Sequence, residues 1–394
     1  MNDSTEHLTY CLNIHAGETW ADHLQAVRTH ALAVRERVRP DRPFGLGLRL
    51  GAQAATELSA PGELEAFKEV LAEHDLYAFT INGFPYGPFH GRPVKAQVYE
   101  PDWTQPERRD YTCRLATLLA GLLPADMTGS ISTVPGAFRT RVEKTTGPLR
   151  MAEHLMECVG HLVALQRSTG REIHLGLEPE PACFIETTDD FLHFYEDVLL
   201  GHGRQYLQDI TGESRCTAEK WVRRHLGVCL DTCHAALQFE NAAECIDRYE
   251  AAGVRLSKIQ LSAALETDCT EAGLAALRPF DEAVYLHQTR ARAGDGTIHS
   301  WTDLPDALAA LPDHPAEETV RVHFHVPLFW PGQAPLRTTA VELDQAFWDR
   351  INAGACPHLE IETYTFDVLP DAVKPKSIDE SIAREFEWVE SQRG

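Results

Sequence analysis

The chain is poor in positive charge, with 36 Lys and Arg against 59 Asp and Glu and a formal net charge of -23. A nucleic-acid binder needs a cationic footprint that displaces counterions. This balance argues against DNA, RNA and anionic membrane surfaces as partners, and for a small-molecule metabolite. Long apolar runs are missing too: no stretch approaches the roughly 18 uncharged apolar residues of a membrane span. The opening MNDSTEHLTYCLNIHAG lacks a basic start followed by an apolar core. No export leader is therefore expected, and a cytoplasmic location is the expectation. The ten cysteines are scattered, which in such a chain points to free thiols rather than a disulfide framework. Cys229 and Cys233, beside His234, have no second Cys pair at zinc-finger spacing. No Gly-x-Gly-x-x-Gly follows the first apolar run, so a dinucleotide site has no support.

What is present is an alternation. Short apolar runs occur at 8–14, 44–50, 76–82, 129–134, 173–179, 227–232, 254–262, 320–326 and 358–366. Their brevity and their content of Val, Ile, Leu and aromatics suit buried parallel strands. Between them, apolar residues recur at three and four, as in Trp20, Leu24, Val27, Ala31, Val34 and Val38, the mark of one helix face. Repeated βα units over residues 1–394 predict an α/β fold, a single (β/α)8 TIM barrel. Eight strands close a barrel and nine runs are on offer; VRVHFHV at 320–326 is the expected surplus. Insertions are expected near 83–106, 201–225 and 263–319, which are long for βα loops.

In such a barrel the carboxyl ends of the strands converge on one face and build the site. The polar residues there are Asn13 and His15, Arg49, Asn82, Thr133, Glu178 and Glu180, Asp231 and His234, Gln260, His323 and His325, and Glu360 and Glu362. Only Arg49 is cationic. Buried carboxylates repel one another and lose hydration unless a cation compensates. A divalent metal held by oxygen and imidazole ligands meets that need, and the ligand set suits Mn, Zn, Mg or Fe without choosing among them.

The motifs G-L-E-P at 176–179, C-L-D-T-C-H at 229–234 and L-E-I-E-T-Y at 359–364 resemble strand ends five, six and eight of the xylose-isomerase-like TIM barrels. That superfamily holds sugar isomerases, epimerases and AP endonucleases. The segments T-Y-C-L-N-I-H-A-G-E-T-W at 9–20 and N-G-F-P-Y-G-x-F-H at 82–90 resemble the EboE-type metabolite-traffic proteins within it. The resemblance implies Glu178, Asp231 and Glu362 as metal ligands, with Glu360 a register alternative. Gln260 stands where many members carry a histidine ligand and is itself a candidate metal ligand through its amide oxygen, which suits Mn or Mg and suits Zn poorly; His325 or His323 would supply the missing imidazole. Glu178 and Glu362 are implied as the catalytic pair, one removing a proton beside a carbonyl and the other returning it. His234, His15, Asn13, Asn82, His323 and His90 are the candidate substrate contacts. The implied activity is metal-dependent isomerisation or epimerisation of a hydroxy-carbonyl metabolite, with an EboE-like metabolite-binding role as the alternative. Phosphodiester cleavage is disfavoured by the charge and by Gln260. The resemblance leaves homodimerisation open.

Overall fold

The computed structural model describes residues 6–91, 93–371 and 374–393. Thirteen strands are found among them. They are β1 (His7–Tyr10), β2 (Phe44–Arg49), β3 (Leu76–Asn82), β4 (Gly129–Thr133), β5 (Ile173–Leu177), β6 (Leu226–Asp231), β7 (Leu256–Leu261), β8 (Leu265–Asp268), β9 (Thr289–Arg292), β10 (Ile298–Trp301), β11 (Thr319–Val322), β12 (Arg337–Thr338) and β13 (His358–Ile361). Eight form one parallel sheet in the order β1-β13-β7-β6-β5-β4-β3-β2. Its ends meet where Cys11 bridges Gly47 in parallel and the Thr9 hydroxyl donates to the Gly45 carbonyl at 2.7 Å. The result is a nearly closed barrel, with the helices outside and every strand's carboxyl end at one mouth.

The other five strands form an antiparallel sheet, β10-β9-β11-β8-β12, inserted between β7 and β13. The surplus run VRVHFHV falls there: β11 pairs β8 and β9, and His323 and His325 follow its last residue. The insertion expected at 263–319 therefore extends to Thr338. Segment 201–225, expected as a loop, is almost wholly helical, with helices Arg204–Thr211 and Arg215–His225. Tyr206, Leu207 and Val222 supply the apolar face that helix packing needs.

The barrel interior is filled by a polar pair as well as by aliphatics. Lys258 on β7 and Glu360 on β13 point inward, both fully buried, with Nζ donating to Oε2 at 2.7 Å. Glycine at 47 makes room for them. A Cβ there would stand 2.1 Å from Glu360 Oε1 and 2.8 Å from the Tyr10 carbonyl.

Candidate metal centre

Asp231 ends β6 and caps helix Thr232–Leu237. Its Oδ1 accepts from the His234 backbone N–H at 3.0 Å and from the Ser262 hydroxyl at 2.7 Å. Burial pushes this carboxyl up, but His234, His325 and those hydrogen bonds hold it below its usual range. At neutral pH His234, pushed down to about 4 by burial, is uncharged, so the hydrogen bonds are what persist. Oδ2 has no protein partner although it is buried.

Glu178, just past β5, and Glu362, just past β13, flank Asp231; ligand oxygens of the three lie within 4.8 Å of one another. Glu178 Oε2 is also buried without a partner. Glu362 Oε1 accepts from the Asn13 amide at 2.7 Å and the Asn82 amide at 2.9 Å. Burial first, and the neighbouring carboxylates next, drive Glu178 and Glu362 well above the usual carboxylate range. The register question between Glu360 and Glu362 is resolved by depth. Both face inward, but Glu360 lies one layer deeper on Lys258, while Glu362 lines the mouth.

Beside the carboxylates, three imidazoles meet. His234 Nε2 lies 3.2 Å from His323 Nε2, which lies 3.1 Å from His325 Nε2. Each Nδ1 is bound to an oxygen that can only accept. His234 donates to the Pro179 carbonyl at 3.0 Å, His325 to the Glu362 carbonyl at 2.8 Å, and His323 to the Gln288 amide oxygen at 2.6 Å. The Gln288 amide is itself oriented, because its nitrogen donates to the Pro181 carbonyl at 3.1 Å. The protons are thus on Nδ1, and the His323 Nε2 lone pair faces those of His234 and His325. Burial pushes all three rings down, so they are neutral. Neutral lone pairs at such distances repel unless a cation lies between them. Imidazole nitrogens about 2.1 Å from one zinc-sized ion stand about 3.0–3.4 Å apart, and fixing the ring through the second nitrogen is the usual support for a metal-ligating histidine. The orphaned carboxylate oxygens and the converging lone pairs both fit a divalent ion.

A narrow cleft opens above these groups. Asn13, Asn82, Glu178, Glu180, Glu362, His234, His323 and His325 line its floor. Glu180 accepts from the Tyr99 hydroxyl at 2.7 Å, and burial raises it to about 8.

Three expected site residues are placed differently. His15 is not on the cleft: residues Leu12–Ile14 make a 3-10 turn that ends the strand alternation, separating His15 from Asn13. His15 instead stacks on His30 at 4.2 Å and bonds Tyr10. His90 lies behind the lining with both nitrogens engaged, Nε2 donating to the Asn13 carbonyl at 2.5 Å and Nδ1 accepting from Tyr285 at 2.9 Å. Gln260 lies beneath the floor; its Oε1 accepts the Cys229 thiol at 2.9 Å, and its Nε2 is unpartnered. Sequence reasoning also missed Lys258, Gln288 and Tyr364. Lys258 stood mid-run, and Gln288 stood in a segment with no periodic signal.

No protein-family model matches the chain, and no curated protein matches it. Among solved structures, a xylose isomerase-like TIM barrel protein from Mycobacterium smegmatis in complex with magnesium is similar at a TM-score of 0.54 and 13% identity. That alignment covers 100% of this chain and 98% of that one. The fold is that of a xylose-isomerase-like TIM barrel. An L-ribulose 3-epimerase aligns at 0.49 and 10% identity over 99% of this chain and 94% of its own. A probable 3-DHS dehydratase from Bacillus anthracis aligns at 0.47 and 11% over 99% and 100%. At these identities the likeness concerns fold alone, and the EboE-type resemblance has no counterpart among these structures.

Proposed function

We propose that this xylose-isomerase-like barrel is a divalent-metal-dependent isomerase or epimerase of a small hydroxy-carbonyl metabolite. The observation that carries the reading is the pairing of three clustered carboxylates with His323, whose Nε2 lone pair faces those of His234 and His325. Glu178, Asp231 and Glu362 would hold one ion, and His234, His323 and His325 would hold another or share it through Asp231. A bound ion supplies positive charge that polarises substrate oxygens and acidifies a neighbouring C–H.

The chain's own residues supply the proton transfer. Glu178 and Glu362 reach the mouth from different strands, and each suits acid or base work because burial and mutual repulsion favour one proton between them. Asn13 and Asn82, both donating to Glu362 Oε1, fix that carboxylate and leave its other oxygen uncommitted. The test is incorporation of solvent deuterium beside the carbonyl of α-hydroxyketones, followed by NMR with Mn²⁺- or Zn²⁺-supplemented protein. Exchange that vanishes in Glu178→Gln and in Glu362→Gln supports the reading. Absence of any metal uptake by the wild type sinks it.

A second reading, a metabolite-binding or trafficking protein with little turnover, draws on Gln260. At a position where a free ligand is expected, its amide oxygen is already committed to Cys229. Tight ligand binding without exchange would favour it.

A further inference from the structure

The floor of the cleft is polar, but its roof is not. Phe84, Phe89, Val98, Tyr285, Leu286 and Tyr364 close over it. They come from the loop after β3, from the segment before β9 and from the segment after β13. Phe89, Tyr285 and Tyr364 pack mutually, with ring centroids 5.2–5.3 Å apart. The first two segments are clasped by backbone bonds, with Val94 N–H donating to the Val284 carbonyl at 2.9 Å.

Charge is the second observation. Among the described residues lining the cleft, Lys95 is the single Lys or Arg. Its ammonium is neutralised by Asp303 at 2.7 Å, with the Glu282 carbonyl at 3.3 Å. Two buried arginines behind the roof are turned to other work. Arg49 donates to the Gly17 and Gly87 carbonyls and to Glu18, and Arg108 donates to the Pro101, Gly83 and Phe84 carbonyls. These bonds hold the segments behind the cleft; Arg49 Nε and Arg108 Nη2 are buried without a partner, and neither arginine is among the described residues lining the cleft.

We propose that the cleft takes an uncharged ligand with two vicinal oxygens at one end and an apolar, planar body at the other, in place of a sugar phosphate. The oxygen end rests on the reading of the floor given above; the apolar end rests on the roof. Covering a ring with apolar wall is worth at least tenfold in affinity over a hydroxymethyl group of the same head, and aromatic walls favour a planar face.

Three probes share one α-hydroxyketone head and differ only in the tail: 2-hydroxyacetophenone, dihydroxyacetone and dihydroxyacetone phosphate. Calorimetric titration of the full-length, Mn²⁺-saturated protein is expected to show 2-hydroxyacetophenone binding at least tenfold tighter than dihydroxyacetone. The phosphate is expected to bind no tighter than dihydroxyacetone. Phe89→Ser should remove most of the phenyl advantage, read as the ratio of the 2-hydroxyacetophenone and dihydroxyacetone affinities. Val98→Lys, a second variant that leaves the roof aromatics in place, should raise affinity for the phosphate selectively. Tightest binding of the phosphate by the wild type, or equal affinity for phenyl and hydroxymethyl tails, overturns the inference. Repeating the series after chelation separates it from the functional reading. A phenyl preference that survives with head-group binding unaltered supports the roof and refutes the metal-dependent floor.

Discussion

Lys258 is the residue through which the centre of the barrel tolerates so many acids. Its ammonium is spent on Glu360, so the mouth carboxylates one layer above receive only its longer-range attraction. Removing one member of a buried ion pair costs about 3–5 kcal/mol, because the survivor is left charged and unsolvated. Lys258→Met should lower stability by that amount in chemical denaturation, and Lys258→Met with Glu360→Gln should recover most of it. At the same scale, His323→Ala should abolish binding of the imidazole-held ion, read by elemental analysis, while Glu178, Asp231 and Glu362 remain in place. These residues also mark what sequence could tell. Glu178, Asp231 and Glu362 were legible because an apolar run that stops on an acid places it at a strand end. Lys258 was not, since a lysine inside a run reads as solvent-facing until its partner, 102 positions away, is known. Asn13 and His15 were both placed at the first strand end, and a single 3-10 turn separates them.

Among the elements, β2 and the helix Ile378–Arg393 each carry a dependence that can be tested. On β2, Gly47→Ala drives a methyl against Glu360 Oε1 and the Tyr10 carbonyl. Overpacking of this kind costs about 1–3 kcal/mol, and a lowered denaturation midpoint is expected. The helix buries Glu385, whose Oε1 accepts from the Thr363 hydroxyl at 2.7 Å and the Leu328 N–H at 3.1 Å. Desolvation raises this acid from 4.5 to about 7. The folded chain therefore holds a proton that the unfolded chain releases, and stability falls as pH rises through 4.5 to 7. Glu385→Gln should match the wild type near pH 4 and exceed it by up to about 3 kcal/mol above pH 7. Equal pH profiles for the two proteins would remove Glu385 as the cause. The parallel sheet was legible from nine apolar runs. The antiparallel one was not, because β8, β9, β10 and β12 are at most four residues long and too short to show a period.

For the whole molecule, an ion that binds the folded chain alone stabilises it by about 4 kcal/mol at a thousandfold excess over Kd. Tm should therefore climb with the logarithm of Mn²⁺ or Zn²⁺ concentration and fall on chelation; an unmoved Tm would contradict a resident ion. The antiparallel insertion gives this linkage a further turn. The candidate oxygen ligands and His234 sit at the barrel's own strand ends, whereas His323 and His325 follow β11, in a sheet that the barrel does not need for closure. Two of the three candidate imidazoles are thus carried by the insertion rather than by the barrel. Reshaping that insertion would alter the imidazole set while leaving the parallel sheet and its three mouth carboxylates untouched.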